Sequence, residues 1–232
     1  MITVTLINDT KIPYKSFEEI VDYDKIVILD CSNNNLTSLP DLIGYLINLK
    51  VLNCSDNKLI KLPELIGNLI NLKELYCYDN KLIELPDSIG NLINLELLNC
   101  NINQLSTLPP SLSKLINLKI FKCSFNEIKF LPESIDNLIN LEILHCSNNQ
   151  LTFLPDSIGN LIKLKILYCP DNQIKKLPET IINLRNIDIF DKDKMTLTPQ
   201  QEKYFYWIKS KKSYEFEDNV DMVLVKCAYF GV

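Results

Sequence analysis

The chain has 232 residues, enough for one large domain or two small ones, and 47% apolar with 23% charged content is ordinary for a folded protein. A net charge of −5 and a single arginine, Arg185, argue against a nucleic-acid surface, which needs clustered Lys and Arg. No basic stretch precedes an apolar run at residues 1–6, and no apolar stretch approaches about 18 residues, so neither a secretory leader nor a membrane span is expected.

Ile2-Thr-Val4-Thr-Leu6 alternates apolar and polar residues with β-branched enrichment, which predicts a strand. Asn8-Asp9 supplies a turn. Ser16-Phe-Glu-Glu19 has the form of a capping box, with Ser16 as N-cap and Glu19 reaching back, and predicts a short helix to about Tyr23. Residues 1–25 are expected to form an N-terminal cap over the array that follows.

From Ile26 the chain repeats. Seven units of 23 residues begin at Ile26, Leu49, Leu72, Leu95, Leu118, Leu141 and Leu164, and an eighth from Ile187 decays by residue 197. Each full unit reads L-x-x-L-x-C-x-x-N-x-L-x-x-L-P followed by x-x-I-x-x-L-x-x, with small departures. A fixed period of this length signals a solenoid, in which each unit contacts only its neighbours. The pattern resembles the leucine-rich repeat family, and the LP-x-x-I-G-N-L-x-N-L tail is similar to its typical 23-residue intracellular class. The resemblance implies an α/β fold, a leucine-rich repeat solenoid with a curved parallel sheet on the concave face and short helices on the convex face.

The spacing assigns roles within a unit. In Leu72–Asn94, Leu75 and Cys77 are two apart and share the interior face of a strand, while Glu74, Tyr76 and Tyr78 point outward. Stacked at roughly 4.8 Å, eight such strands make a sheet of about 35–40 Å. Leu82 and Leu85 continue the interior, Pro86 opens the convex turn, and Ile89 with Leu92 buries one face of it. The recurring asparagines, Asn34 to Asn172, are expected to be buried and to bond turn backbone groups. Seven cysteines, Cys31 to Cys169, fall at one repeat position, which predicts buried free thiols and no disulfide framework. His145, the only histidine, precedes Cys146, but adjacent strand residues face opposite sides and cannot form a dyad.

Three outward columns remain. An apolar rail runs through Ile28, Val51, Leu97, Ile120, Ile143, Ile166 and Ile189, interrupted by Glu74. Beside it lie mixed aromatic and polar residues, and Ile102 and Phe125 stand among Asp and Asn at the strand-to-turn edge. Aromatic anchors among adaptable polar groups are how interfaces are composed. The candidate concave binding residues are Glu74, Tyr76, Tyr78, Asn99, Lys122, Phe125, His145 and Tyr168.

The repeat ends with Lys192 in place of Cys and Met195 in place of Asn. Thr198-Pro199-Gln-Gln201 then predicts a capped helix from Pro199 to about Lys211, part of a C-terminal cap over residues 198–232. Its aromatics are expected to cover the open end of the core, and 221–225 is open between strand and helical turn.

No phosphate loop, nucleophile elbow or metal-ligand spacing occurs, so no catalytic residues, cofactor or metal are expected. The leading expectation is a non-enzymatic, cytoplasmic, monomeric protein-interaction module. By resemblance, a partner would be a small GTPase, a phosphatase assembly or a ubiquitin-pathway protein. The alternative is a ubiquitin-pathway effector acting through the tail, where Cys227 is the one cysteine outside the array; about 35 residues are too few for a catalytic domain.

Overall fold

A computed structural model describes residues 1–184, 187–190 and 195–215, with the side chains of Phe190 and 209–215 left aside. The chain divides into two compact units, Met1–Thr196 and Leu197–Val232. The first contains a ten-stranded sheet.

Eight parallel strands supply the repeat: β3 Ile26–Asp30, β4 Val51–Asn53, β5 Glu74–Tyr76, β6 Leu97–Asn99, β7 Ile120–Lys122, β8 Ile143–His145, β9 Ile166–Tyr168 and β10 Asp188–Phe190. They stand in chain order, each paired with the next. A 23-residue step therefore becomes one lateral step in the sheet: Asn53, Tyr76, Asn99, Lys122, His145 and Tyr168 are successive ladder partners.

The N-terminal segment adds more than the one strand expected. β1 (Ile2–Leu6) lies antiparallel to β3, and β2 (Lys11–Tyr14) lies antiparallel to β1 at the sheet edge. Pro13 disguised β2 in the sequence, yet an edge strand tolerates proline because one side of its ladder is open. The Ser16 capping box does not form. Ser16 makes no cap bond, and the Glu19 carboxylate instead accepts from the Lys15 N–H at 2.9 Å, over a 3-10 turn of only three residues.

Opposite the strands, each repeat makes a five-residue 3-10 turn, such as Asp87–Asn91. The proline before each turn is extended, and its carbonyl accepts the first turn bond, as Pro86 does from Ile89 N at 3.0 Å. Three residues per turn put Ile89 and Leu92 on one line, so the i, i+3 pair buries directly in a 3-10 turn. Successive turns pack closely at Gly90, where a Cβ would lie 2.5 Å from the Ser111 carbonyl oxygen.

Leucine and isoleucine fill the interior with almost no exposure, and the cysteine column lies among them, 0–1% exposed. Each thiol adds a weak donor that leucine lacks. Cys54 Sγ donates to the Tyr76 carbonyl at 3.3 Å, the same oxygen that receives the Cys54 N–H at 2.8 Å. The asparagine column is the second internal ladder. Asn80 Nδ2 donates to the carbonyls of Cys54, Cys77 and Tyr78, and its Oδ1 accepts the Leu59 N–H at 2.9 Å. From Asn57 to Asn172 each amide thereby ties its own turn to the preceding unit and satisfies groups that burial would otherwise orphan, while Asn34 bonds Met1 and Ser32 instead.

In the second unit, helix α1 (Pro199–Glu215) begins with a reciprocal capping box. Gln201 N donates to Thr198 Oγ1 at 3.3 Å, and Thr198 N donates to Gln201 Oε1 at 3.0 Å. Phe205 and Ile208 are buried. The expectations for 221–225 and Cys227 lie outside the described residues.

Candidate functional site

The outward sheet positions converge as the alternation predicts, but they are not equally available. Tyr76, Asn99, Lys122, His145 and Tyr168 form one row across β5 to β9. Tyr76 is half-buried and donates its hydroxyl to Glu74 at 2.8 Å. Burial, then that carboxylate, pushes the phenol's pKa up. Asn99 Oδ1 accepts the Asn101 N–H at 3.2 Å, which commits part of its amide to the turn. Tyr78 is half-buried, and Phe125 stands 54% exposed.

His145 requires correction as a contact residue. It faces outward, but only 7% of it is accessible, because its ring lies against Tyr168 with centroids 5.3 Å apart. Burial, then the Lys122 ammonium, holds the imidazole pKa down at about 4. In the unfolded chain it would titrate near 6.5. Stability should be intact above about pH 6.5 and fall between 6.5 and 4 as the unfolded state takes the proton first, by about 3 kcal/mol from this group. The His145 ring-proton NMR shift should report that low pKa, and a midpoint near 6.5 would show the ring solvated.

The apolar rail is also less open than its sequence suggests. Ile28, Val51, Leu97, Ile120 and Ile166 are half-buried and Ile143 is buried. Ile189 does not belong to the rail after all: β10 pairs one residue out of step, so Asp188 stands beside Ile166 and Ile189 stands beside the buried Leu167. Branched side chains one strand apart pack on one another, so the column consumes much of its own surface.

The strand-to-turn edge behaves differently. One residue before each asparagine of the column, the backbone is left-handed: Asn33, Asp56, Asp79, Ile102, Phe125, Asn148 and Asp171 all have φ between 49° and 56°. Asn and Asp tolerate this conformation, whereas a β-branched or aromatic residue is strained there. Ile102 and Phe125 nevertheless occupy it in adjacent units, 48% and 54% exposed. Backbone ladders hold them: Ile102 N donates to Ser124 O at 2.9 Å, and Phe125 N to Ser147 O at 3.0 Å. Ile102 was not among the sequence candidates. The signal was the column itself, since Asn or Asp at the equivalent position of five units marks a positive φ.

Charge on this face is predominantly acidic. Asp56 and Asp79 occupy neighbouring turns, and burial, then the Asp56 carboxylate, raises the Asp79 pKa. In the interior, burial pushes the Cys31 and Cys100 thiols to about 12 and Cys54, Cys77, Cys123 and Cys146 well above their usual range. Thiolate chemistry is thus suppressed along the ladder. Among the described residues, no group of three or more His, Cys, Asp or Glu side chains is placed to hold a metal ion, and no helix is long and apolar enough to cross a membrane.

A leucine-rich repeat region model matches residues 16–130, and a leucine-rich repeat model matches residues 140–161. The chain is a leucine-rich repeat protein. Among solved structures, this repeat array is similar to a leucine-rich repeat protein of Leptospira interrogans, with 34% identity and a TM-score of 0.72 over 75% of this chain and 45% of that one. The PEPR1–AtPEP1 structure matches at 29% identity and TM-score 0.68, over 76% of this chain and 26% of that one. The Arabidopsis receptor kinase HAESA, in complex with the peptide hormone IDA and the co-receptor SERK1, matches at 23% identity and TM-score 0.62, over 72% of this chain and 30% of that one. That last likeness concerns the fold alone. The repeat protein spans less than half the length of each of these neighbours. No curated protein matches it in sequence.

Proposed function

We propose that this repeat protein is a non-enzymatic binding module that takes a protein partner on the concave face of its sheet. The observation that carries this reading is the exposed pair Ile102 and Phe125, held in left-handed backbone where asparagine or aspartate would be unstrained. Strain retained on exposed apolar side chains points to a use for those side chains beyond the fold. Tyr76, Tyr78, Lys122 and Tyr168 extend the surface from that edge across the sheet, with Glu74 and Asn99 as polar contacts. His145 serves it from the side, with its ring against Tyr168 on the next strand. Leucine-rich repeat arrays are in general protein-interaction modules, which supports the same class of function. The buried free thiols fit a reducing compartment, and we place the protein in the cytoplasm on that basis.

The test is the double variant Ile102→Asn and Phe125→Asn. Relief of the left-handed strain offsets the lost apolar contact, so the variant should be as stable as the parent or up to about 1 kcal/mol more stable in urea. Affinity purification from native cells, quantified by mass spectrometry, should show its specific prey reduced at least tenfold. Equal recovery of the same prey by both proteins would reject the concave edge as the binding surface.

A further inference from the structure

The last position but one of six successive units is isoleucine: Ile47, Ile70, Ile93, Ile116, Ile139 and Ile162. These side chains are 48–75% exposed, whereas the leucine just before each of them is buried. The solenoid interior therefore makes no demand for isoleucine here. At one strand spacing per unit the stripe is about 24 Å long. Its exposed surface is on the order of 600 Å2, at the upper end of the largest patch a monomer usually leaves in water.

The stripe is also rigidly presented. For four of the six, an asparagine of the next unit donates to the isoleucine's carbonyl: Asn71 to Ile47 at 2.9 Å, then Asn94, Asn117 and Asn140 to Ile70, Ile93 and Ile116 at 2.8 Å. A surface fixed in advance loses little conformational freedom on association.

Three residues after each isoleucine runs a charged row: Lys50, Lys73, Glu96, Lys119, Glu142 and Lys165. Its first members share one groove with Asn48, Asn71 and Asn94, on the same rim of the sheet. Reversed by a two-fold axis crossing the stripe between Ile93 and Ile116, this row meets itself with complementary signs. Within one copy Glu96 already pairs with Lys73 at 3.3 Å and Lys119 at 2.6 Å, and Glu142 pairs with Lys165 at 2.6 Å. Across the axis Glu96 faces Lys119 and Lys73 faces Glu142, which extends these pairs into an alternating network, and only the end pair Lys50 and Lys165 is alike. Sliding one unit in one direction leaves no opposite pairs at all. The other direction brings Glu96 against Glu96 and Lys73 against Lys119, and keeps opposite signs only where Lys50 meets Glu142. Charge thus selects the register in which all six isoleucines are paired, as charged rows commonly do at interfaces.

We propose that this stripe is the seam of an isologous homodimer, with Ile93 of one copy on Ile116 of the other. A second copy is the occupant whose apolar spacing matches in every unit, and two stripes together bury about 1,200 Å2, the lower end of stable interfaces. This replaces the monomer expected from sequence. The seam lies on the rim and leaves both sheet faces open, so the dimer would present two binding faces to a multivalent partner.

Sedimentation equilibrium over a range of concentrations should show the 26.8 kDa chain in reversible exchange with a species of twice that mass. Ile93→Asp with Ile116→Asp changes exposed positions, so circular dichroism should be unaltered while dimer affinity falls at least 100-fold. Glu96→Lys alone should weaken the dimer about tenfold, and adding Lys119→Glu should restore it. In a Cys227→Ser background, Ile93→Cys mixed with Ile116→Cys should cross-link under mild oxidation far faster than Ile93→Cys alone. A wild-type protein that stays monomeric at every concentration would overturn the proposal, as would a dimer indifferent to the aspartate pair.

Discussion

Replacing Asn126 with alanine should destabilise the array by about 3–4 kcal/mol, more than most single changes in a protein this size. The Asn126 amide donates to the carbonyls of Cys100 at 3.0 Å, Cys123 at 3.1 Å and Ser124 at 3.2 Å, while its Oδ1 accepts the Leu105 N–H at 3.0 Å. Two N–H groups are shared among three acceptors, and the side chain is only 8% exposed. Alanine removes all four bonds and supplies nothing to the backbone groups left behind. A buried group without a partner costs roughly 1–3 kcal/mol, and the total is held down by water reaching the turn edge. Aspartate is not a remedy, because a carboxylate would face three carbonyl oxygens. Since each unit contacts only its neighbours, the damage should concentrate at the junction of the fourth and fifth units. Urea unfolding should show a lower midpoint and a shallower transition as the halves uncouple. A midpoint unchanged within about 0.5 kcal/mol would mean that water replaces the amide.

The second large effect runs against local propensity. Gly90→Ala should destabilise by about 2–3 kcal/mol, although alanine favours helical backbone over glycine by about 1 kcal/mol. An added Cβ would meet the Ser111 carbonyl oxygen at 2.5 Å, its Cβ at 2.7 Å and its carbonyl carbon at 3.0 Å. Two of these three are backbone, so no flexible side-chain end can swing away. The fourth unit shows what accommodation involves. Ser113 takes the glycine's place there, and one unit on Ser134, equivalent to Ser111, leaves regular turn geometry at φ −78° and ψ 16°. Ser113→Gly should therefore be nearly neutral. Thermal unfolding of both variants decides the matter, and an alanine at residue 90 that raises Tm would contradict the close approach.

Much of this architecture was readable in one unit. Leu75, Cys77, Asn80, Leu82, Leu85, Ile89 and Leu92 were assigned to the interior from spacing, and each is buried. The outward direction of Tyr76 and Tyr78 followed from alternation alone. Availability did not. His145 points outward yet is covered, because Lys122 and Tyr168 flank it one strand away, 23 residues off in sequence. Ser16 had the letters of a cap but a turn of three residues to serve, so Glu19 found a nearer N–H. Ile102 stood out in the sequence beside Phe125 at the strand-to-turn edge, but only the structure showed that the backbone beneath it is left-handed.

The sequence by itself determined the repeat, its parallel stacking, the buried thiols and the asparagine ladder. It could do so because each unit's surroundings are copies of itself, so a 23-residue pattern also describes its neighbours. Only the tertiary structure decided which outward residues remain accessible, where a Cβ has no room, and that an isoleucine rim is left exposed. Those properties depend on the distances between side chains in adjacent units. Such distances follow from turn geometry and packing, which vary with the few residues that break the pattern.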